Sequence, residues 1–203
     1  MAVPVVWRLS AEHSAAAGAV LGRAFMDEPI LVAGFPDPVL RERYCPLRWA
    51  AGIRYACRFG EAWAVGSEPG DIGGATFWVY EPAPESTPEL RAELGFPPAD
   101  DEADACMSRI ISIAHIAEAE YGAMPAVWRG LWMIGVEPAR QGQGLGSVLI
   151  KRMLDDAAAA GEPLALFTDR PINVPFYEKA GMEMVWSGAS DDGVVPLWSF
   201  RTR

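Results

Sequence analysis

The sequence holds only three cysteines and two histidines among 203 residues, and its bases are outnumbered by its acids. Each shortage excludes something. Cys45, Cys57 and Cys106 are odd in number and lack metal-ligand spacing, so neither a disulfide framework nor a metal site is expected. They read as buried thiols of a reduced, cytoplasmic protein, acting as small core hydrophobes. No apolar run reaches the ~18 residues of a membrane span. The opening stretch, MAVPVVWRLS, has no basic residue before Arg8 and no long apolar segment, so it is not read as a secretory signal. Lysine and arginine total 17 against 27 aspartates and glutamates, a net charge of −10. Binding a phosphate backbone needs clustered cations, so no nucleic-acid partner is expected. An acidic surface suits either plain solubility or a cationic substrate. No internal repeat and no low-complexity linker is present.

What remains is a globular composition, 51% apolar and 22% charged, sized for one domain spanning residues 1–203. Val3, Val5 and Trp7 alternate as a first strand. Ser10 is placed as the N-cap of a helix, with His13 where a capping box carries its acid. Ala17, Val20, Leu21, Ala24 and Phe25 keep helical spacing, and Pro29 is read as the helix end. Residues 30–38 read as a loop, and residues 39–58 as a second helix. The period then changes: EAWAVGSEPGDIGGATFWVYEP reads as an antiparallel hairpin. Residues 81–128 read as an irregular and helical insertion, with helices near 88–94 and 101–121. Strand LWMIGV, helix 144–160, strand LALFT, a short helix at 173–180 and strands near 182–187 and 195–201 complete the order.

The stretch GVEPARQGQGLGSVLIKRML carries the chemistry. The first four N–H groups of a helix have no intrahelical partner, and the helix dipole adds partial positive charge there. Glycines let a phosphate approach those groups without a Cβ in the way. QGQGLGS between a strand and a helix therefore reads as a pyrophosphate cradle, with a glycine-rich tight turn as the plain alternative. A P-loop is excluded because the loop lacks lysine. A dinucleotide-binding Rossmann motif is disfavoured because EPARQ separates Val136 from Gly142 and the glycines are evenly spaced.

Gln141, Gly144 and Gly146 resemble the Gln/Arg-x-x-Gly-x-Gly/Ala acyl-CoA-binding motif of the GNAT N-acetyltransferases. Downstream, PINVPFYEKAGMEMV resembles that family's second motif, with Met182 in place of the usual Phe. Two motifs in the right order, ~25 residues apart, are far more specific than either alone. The chain also resembles the puromycin N-acetyltransferase group in length, in Ala24, Phe25 and Pro29, and in its P-x-N-x-P-F-Y segment. The resemblance implies an α/β (α+β) fold: a mixed, mostly antiparallel central sheet, splayed between strands four and five, with helices on both faces. It also implies acetyl-CoA as co-substrate, in contact with Ile134, Gly135, Val136, Gln141, Gly142, Gln143, Gly144, Leu145, Gly146 and Ser147. Asn173, Phe176 and Tyr177 would meet the pantetheine arm. Tyr177 would be the general acid for the leaving thiolate.

The general base stays open. Relatives of the puromycin enzyme often carry a Glu on the fifth strand, where this chain has Phe167. Glu28, His115, Glu118 and Glu120 are the alternatives, as are a water chain or an amine bound neutral. Phe25, Glu28, Trp78, Tyr80, Trp132 and Thr168 are the candidate substrate-contacting residues, with Trp63 and Trp128 as further aromatic candidates. Trp132 and Ile134 are expected on one face of their strand by two-residue alternation. The function implied is acetyl transfer to a primary amine of a small molecule, such as an antibiotic, amino sugar or polyamine. A protein lysine or N-terminal acetyltransferase and a non-catalytic CoA-binding module are the alternatives, and a homodimer is conceivable.

Overall fold

The structure, a computed structural model, describes residues 3–98 and 101–203. Its frame is one seven-stranded sheet in the order β1-β2-β3-β4-β5-β7-β6. The strands are β1 (Val5–Arg8), β2 (Gly60–Gly66), β3 (Gly74–Glu81), β4 (Trp128–Val136), β5 (Leu164–Thr168), β6 (Glu183–Ala189) and β7 (Pro196–Arg201). Every neighbouring pair is antiparallel except β4 with β5, which is parallel. The helices are α1 (Ser14–Ala24), α2 (Pro29–Gly34), α3 (Pro38–Phe59), α4 (Pro88–Glu93), α5 (Asp101–Glu118), α6 (Leu145–Ala160) and α7 (Val174–Lys179). None among the described residues is long and apolar enough to cross a membrane.

Strand alternation divides the core. Ala62, Ala64, Ala75, Phe77 and Val79 face one side, where Leu21 of α1 and Ile53 and Ala56 of α3 cover them. Trp63, Val65 and Trp78 face the other, against Leu149, Ile150 and Met153 of α6. The centre of the sheet is thus buried on both faces, and its strands read as nearly continuous apolar runs. α1 reaches α3 closely because Gly18 has no side chain: a Cβ there would lie 2.6 Å from the Pro46 carbonyl oxygen. A third cluster joins Ile30 and Leu31 of α2, Cys106, Ile110 and Ile113 of α5, and Leu197 of β7.

The Ser10–His13 capping box forms, with the Ser10 N–H donating to His13 Nδ1 at 3.2 Å. Two expectations need correction. Residues 30–38 are not all loop, because Pro29 opens α2 rather than closing α1. Proline suits the first helical position, where its missing N–H would have no partner anyway. Trp132 and Ile134 do not share a face. The β3–β4 register jumps from Phe77↔Met133 to Trp78↔Leu131, so Trp132 is the extra residue of a β-bulge. Its ring stacks on Tyr55 on the α3 side, while Ile134 packs toward α6.

Candidate active site

Strands β4 and β5 pair only at Arg129↔Leu164 and Gly130↔Ala165, then part. The gap opens into a cavity of about 650 Å³. Residues 131–136 form one wall and residues 166–168 the other. Arg129, at the point of pairing, is 5% exposed. It donates to Glu162 at 2.7 Å and lies 4.2 Å from the Trp78 ring centre, so it anchors the closed end of the gap.

At the open end the chain turns from β4 into α6. Gly142 and Gly144 have φ of 75° and 81°, a left-handed region that L side chains rarely adopt. A Cβ at either would meet nothing within 4 Å, so the backbone there faces open space. This is the form a phosphate cradle needs, and the 16-residue α6 begins at Leu145 directly behind it. Two ion pairs fix the approach. Arg140 makes a forked contact with Asp71, at 2.7 and 3.0 Å, and Arg23 holds Glu137 at 2.6 Å. Arg140 keeps the Asp71 carboxyl well below the usual carboxylate range. The Gln141 side chain donates to the Val136 carbonyl at 3.3 Å. The residue types EPARQ alone did not identify Arg140 and Glu137 as braces, because their partners lie 69 and 114 residues away in the chain.

Most of the expected site residues converge on this cavity. Ile134, Gly135, Val136, Gln141, Gly142 and Gly144 line it, as do Leu145, Gly146, Ser147, Asn173, Phe176 and Tyr177. Gln143 is not part of the wall. Asn173 precedes α7 but does not cap it; its amide donates to Thr168 Oγ1 at 3.0 Å. Tyr177 is 5% exposed, between Phe176 and Phe200 at ring distances of 5.0 and 5.4 Å. Burial, then the nearby Glu28 and Asp169, raise its pKa well above the ordinary tyrosine value. The phenol therefore stays protonated and is a donor at any physiological pH.

Of the substrate candidates, Phe25, Glu28, Trp132 and Thr168 line the cavity. Trp78 and Tyr80 do not: Trp78 is 1% exposed beneath Arg129, and Tyr80 packs edge-on against it. Trp63 likewise stacks under Arg152 and contributes to the core. Trp128 packs edge-on against Tyr121. His115, Glu118 and Glu120 are exposed near the end of α5 and lie outside the wall. Phe167 does line the cavity.

Glu28 is different from the other acids. It is 6% exposed, in the cavity wall, and within hydrogen-bonding reach of the Asp169 carboxyl. Asp169 is itself buried and accepts the Ile30 N–H at 2.7 Å. Arg170 approaches Glu28 at 3.3 Å, but 45% of its side chain is exposed. Burial, with Asp169 adding like charge, pushes the Glu28 carboxyl up to about 8 despite Arg170. Asp169 was not among the expected site residues, and it lines the cavity. Among the described residues no group of three or more His, Cys, Asp or Glu side chains is arranged to hold a metal ion.

A sheet opened by one parallel pair and a glycine turn at the entrance of a helix are features of the GNAT fold. The comparisons agree. Residues 100–183 match the family model "Acetyltransferase (GNAT) domain". A histone acetyltransferase HPA2-related structure from Corynebacterium glutamicum superposes with a TM-score of 0.69 at 18% identity, covering 100% of this chain and 96% of that one. The mosquito arylalkylamine N-acetyltransferase-like 5b gives 0.64 at 13% identity, over 98% and 99%. The Drosophila melanogaster polyamine N-acetyltransferase, which forms N-acetylagmatine, gives 0.64 at 14% identity, over 99% and 100%. The matched domain and the fold around it support an N-acetyltransferase enzyme.

Proposed function

We propose that the protein transfers an acetyl group from acetyl-CoA directly to a primary amine of a small molecule, through a ternary complex. We read residues 1–203 as one GNAT domain in which the 81–128 insertion supplies part of the cavity wall through Ile110 and Ala114 of α5. The observation that carries the proposal is the grouping of three functions in one cavity: the bare turn at Gly142–Gly144, the Tyr177 phenol and the buried Glu28 carboxyl. The amides that open α6 suit the linked phosphates of CoA. The free edge of β4 beyond Gly130 suits an extended arm added as a strand.

Each residue then has a task. Glu28 takes the proton from the incoming ammonium, and Asp169 and Arg170 hold it in place. A bound cation beside it lowers the Glu28 pKa from its raised resting value, so the acid is tuned toward the amine it serves. The freed amine attacks the thioester carbonyl, the C–S bond breaks as Tyr177 donates its proton to the departing thiolate, and the second proton of the nitrogen, released as the amide forms, restores the phenol. Asn173 holds Thr168 at the rim where β5 ends. Several similar structures are described as acting on small amines, namely agmatine, polyamines and arylalkylamines. The partial enclosure of the cavity by α2 and α5 favours such a substrate over a peptide, which needs an open groove. The resemblance to the puromycin N-acetyltransferase group points the same way.

The test is a broad screen of primary amines with the purified protein and acetyl-CoA, read by free-thiol release. Turnover of at least one small amine is expected. A flat response throughout, with CoA binding intact by calorimetry, refutes the reading.

A further inference from the structure

Charge is distributed unevenly around the cavity. Its carboxylates are Glu28 and Asp169, and they sit against each other rather than at opposite ends. The other charged side chains of the wall are basic: Arg140, already bound to Asp71, and Arg170, turned toward Glu28. Away from that one acidic point the uncharged polar side chains of the wall, Gln141, Ser147, Thr168, Asn173 and Tyr177, come from the glycine turn, the start of α6, the end of β5 and the α7 segment, and the rest is hydrocarbon and aromatic ring. Phe25, Trp49, Ile110, Ala114 and Phe167 supply it from the end of α1 and from α3, α5 and β5. The Phe25 and Trp49 rings lie 6.2 Å apart, tilted by 52°. Glu81, the nearest acid to Trp132, accepts the indole N–H at 3.0 Å and is outside the wall.

We propose that the acceptor is a primary amine with a single positive charge and a flat, apolar body, and that polycationic amines and amino sugars are poor substrates. The proposal rests on the transferase reading above and narrows it. One ammonium is met by the Glu28–Asp169 pair. A second, carried on the same molecule, enters hydrocarbon or approaches Arg170, and a buried charge without a partner is strongly disfavoured. Sugar hydroxyls set against Phe25, Ile110, Ala114 and Phe167 would lose water without gaining hydrogen-bonding partners from those side chains. An aromatic body instead gains from burial against the ring faces of Phe25, Trp49 and Phe167.

The experiment compares 2-phenylethylamine, hexylamine, putrescine, agmatine and glucosamine at saturating acetyl-CoA. kcat/KM for 2-phenylethylamine is expected to exceed that for each dication and for glucosamine by at least about 100-fold, with hexylamine between. Equal or better turnover of putrescine, agmatine or glucosamine overturns the proposal. Hexylamine matching 2-phenylethylamine overturns its flat-body part. Ala114 is half-buried in the wall, and Ala114→Glu places a second acid there. That variant is expected to narrow the agmatine deficit about 10-fold while CoA binding holds; an unchanged ratio counts against the proposal. Should it not fold, Ala114→Asp makes the same comparison. Silence with every amine, CoA still binding, sinks the transferase reading itself, a result distinct from a preference for dications.

Discussion

Replacing Glu28 with glutamine is expected to make the protein more stable at alkaline pH while slowing transfer. In the unfolded chain this carboxyl ionises near its ordinary value of 4.5; in the fold it is pushed up to about 8. Between those values the unfolded chain has lost the proton that the folded chain keeps. Stability contributed by this group therefore falls as pH rises, by about 1.4 kcal/mol per pH unit, and the loss is complete above pH 8. The accumulated cost has an upper bound on the order of 4–5 kcal/mol, reduced by relaxation and by the exposed Arg170.

Glutamine cannot ionise, and its amide can donate to Asp169 as the protonated acid does. At pH 5 the two proteins should melt alike. At pH 8.5 the variant should be higher, and half of the upper bound corresponds to a rise of about 5 °C for a chain of this size. Tm measured from pH 5 to 9 on both proteins, beside kcat/KM for an amine substrate, checks this. The wild-type rate should climb through the region of pH 8, and the variant should be about 100-fold slower or worse. A Tm difference that stays constant across the pH range would falsify the assignment of a buried, proton-retaining carboxyl at this position.

Tyr177→Phe keeps the ring packing on Phe176 and Phe200 but removes the donor. CoA affinity by calorimetry should be unchanged and kcat should fall about 100-fold or more. Gly144→Ala forces an L side chain into a left-handed conformation, at a cost of about 1–2 kcal/mol, and its Cβ projects into the open space before α6. A lower Tm and a CoA affinity weakened about 10-fold or more are expected, and normal affinity would argue against the phosphate cradle. Arg129→Ala releases the point where β4 and β5 join. Its loss should cost about 2–3 kcal/mol by denaturant unfolding, less than for a fully buried pair because Glu162 is 28% exposed.

The glycine turn and the Asn–Phe–Tyr segment were legible in the sequence because their physical requirement is local. A helix entrance lacking Cβ atoms is written in consecutive residues, and so is the hairpin of β2 and β3. Pro29 shows where local reading stops: proline ends one helix and begins another with equal ease, and only packing of Ile30 and Leu31 decides. The bulge at Trp132 carries no glycine or proline to announce it, so simple alternation placed that ring on the wrong face. Trp78 resembled a pocket aromatic until both faces of the sheet proved to be covered.

The largest gap is the carboxylate pair, since Glu28 and Asp169 come from opposite ends of the chain. Neither residue type nor spacing distinguishes Glu28 from other acids; burial beside a second carboxyl does. The strand-five position that held the expected acid carries Phe167, and the wall there is apolar. With the acid at Glu28 and Phe167 at the strand-five position, the cavity pairs one acidic point with an apolar stretch of wall. The proposed CoA contacts are thus encoded in contiguous backbone, while the proposed amine contacts are encoded in side chains that meet only after folding.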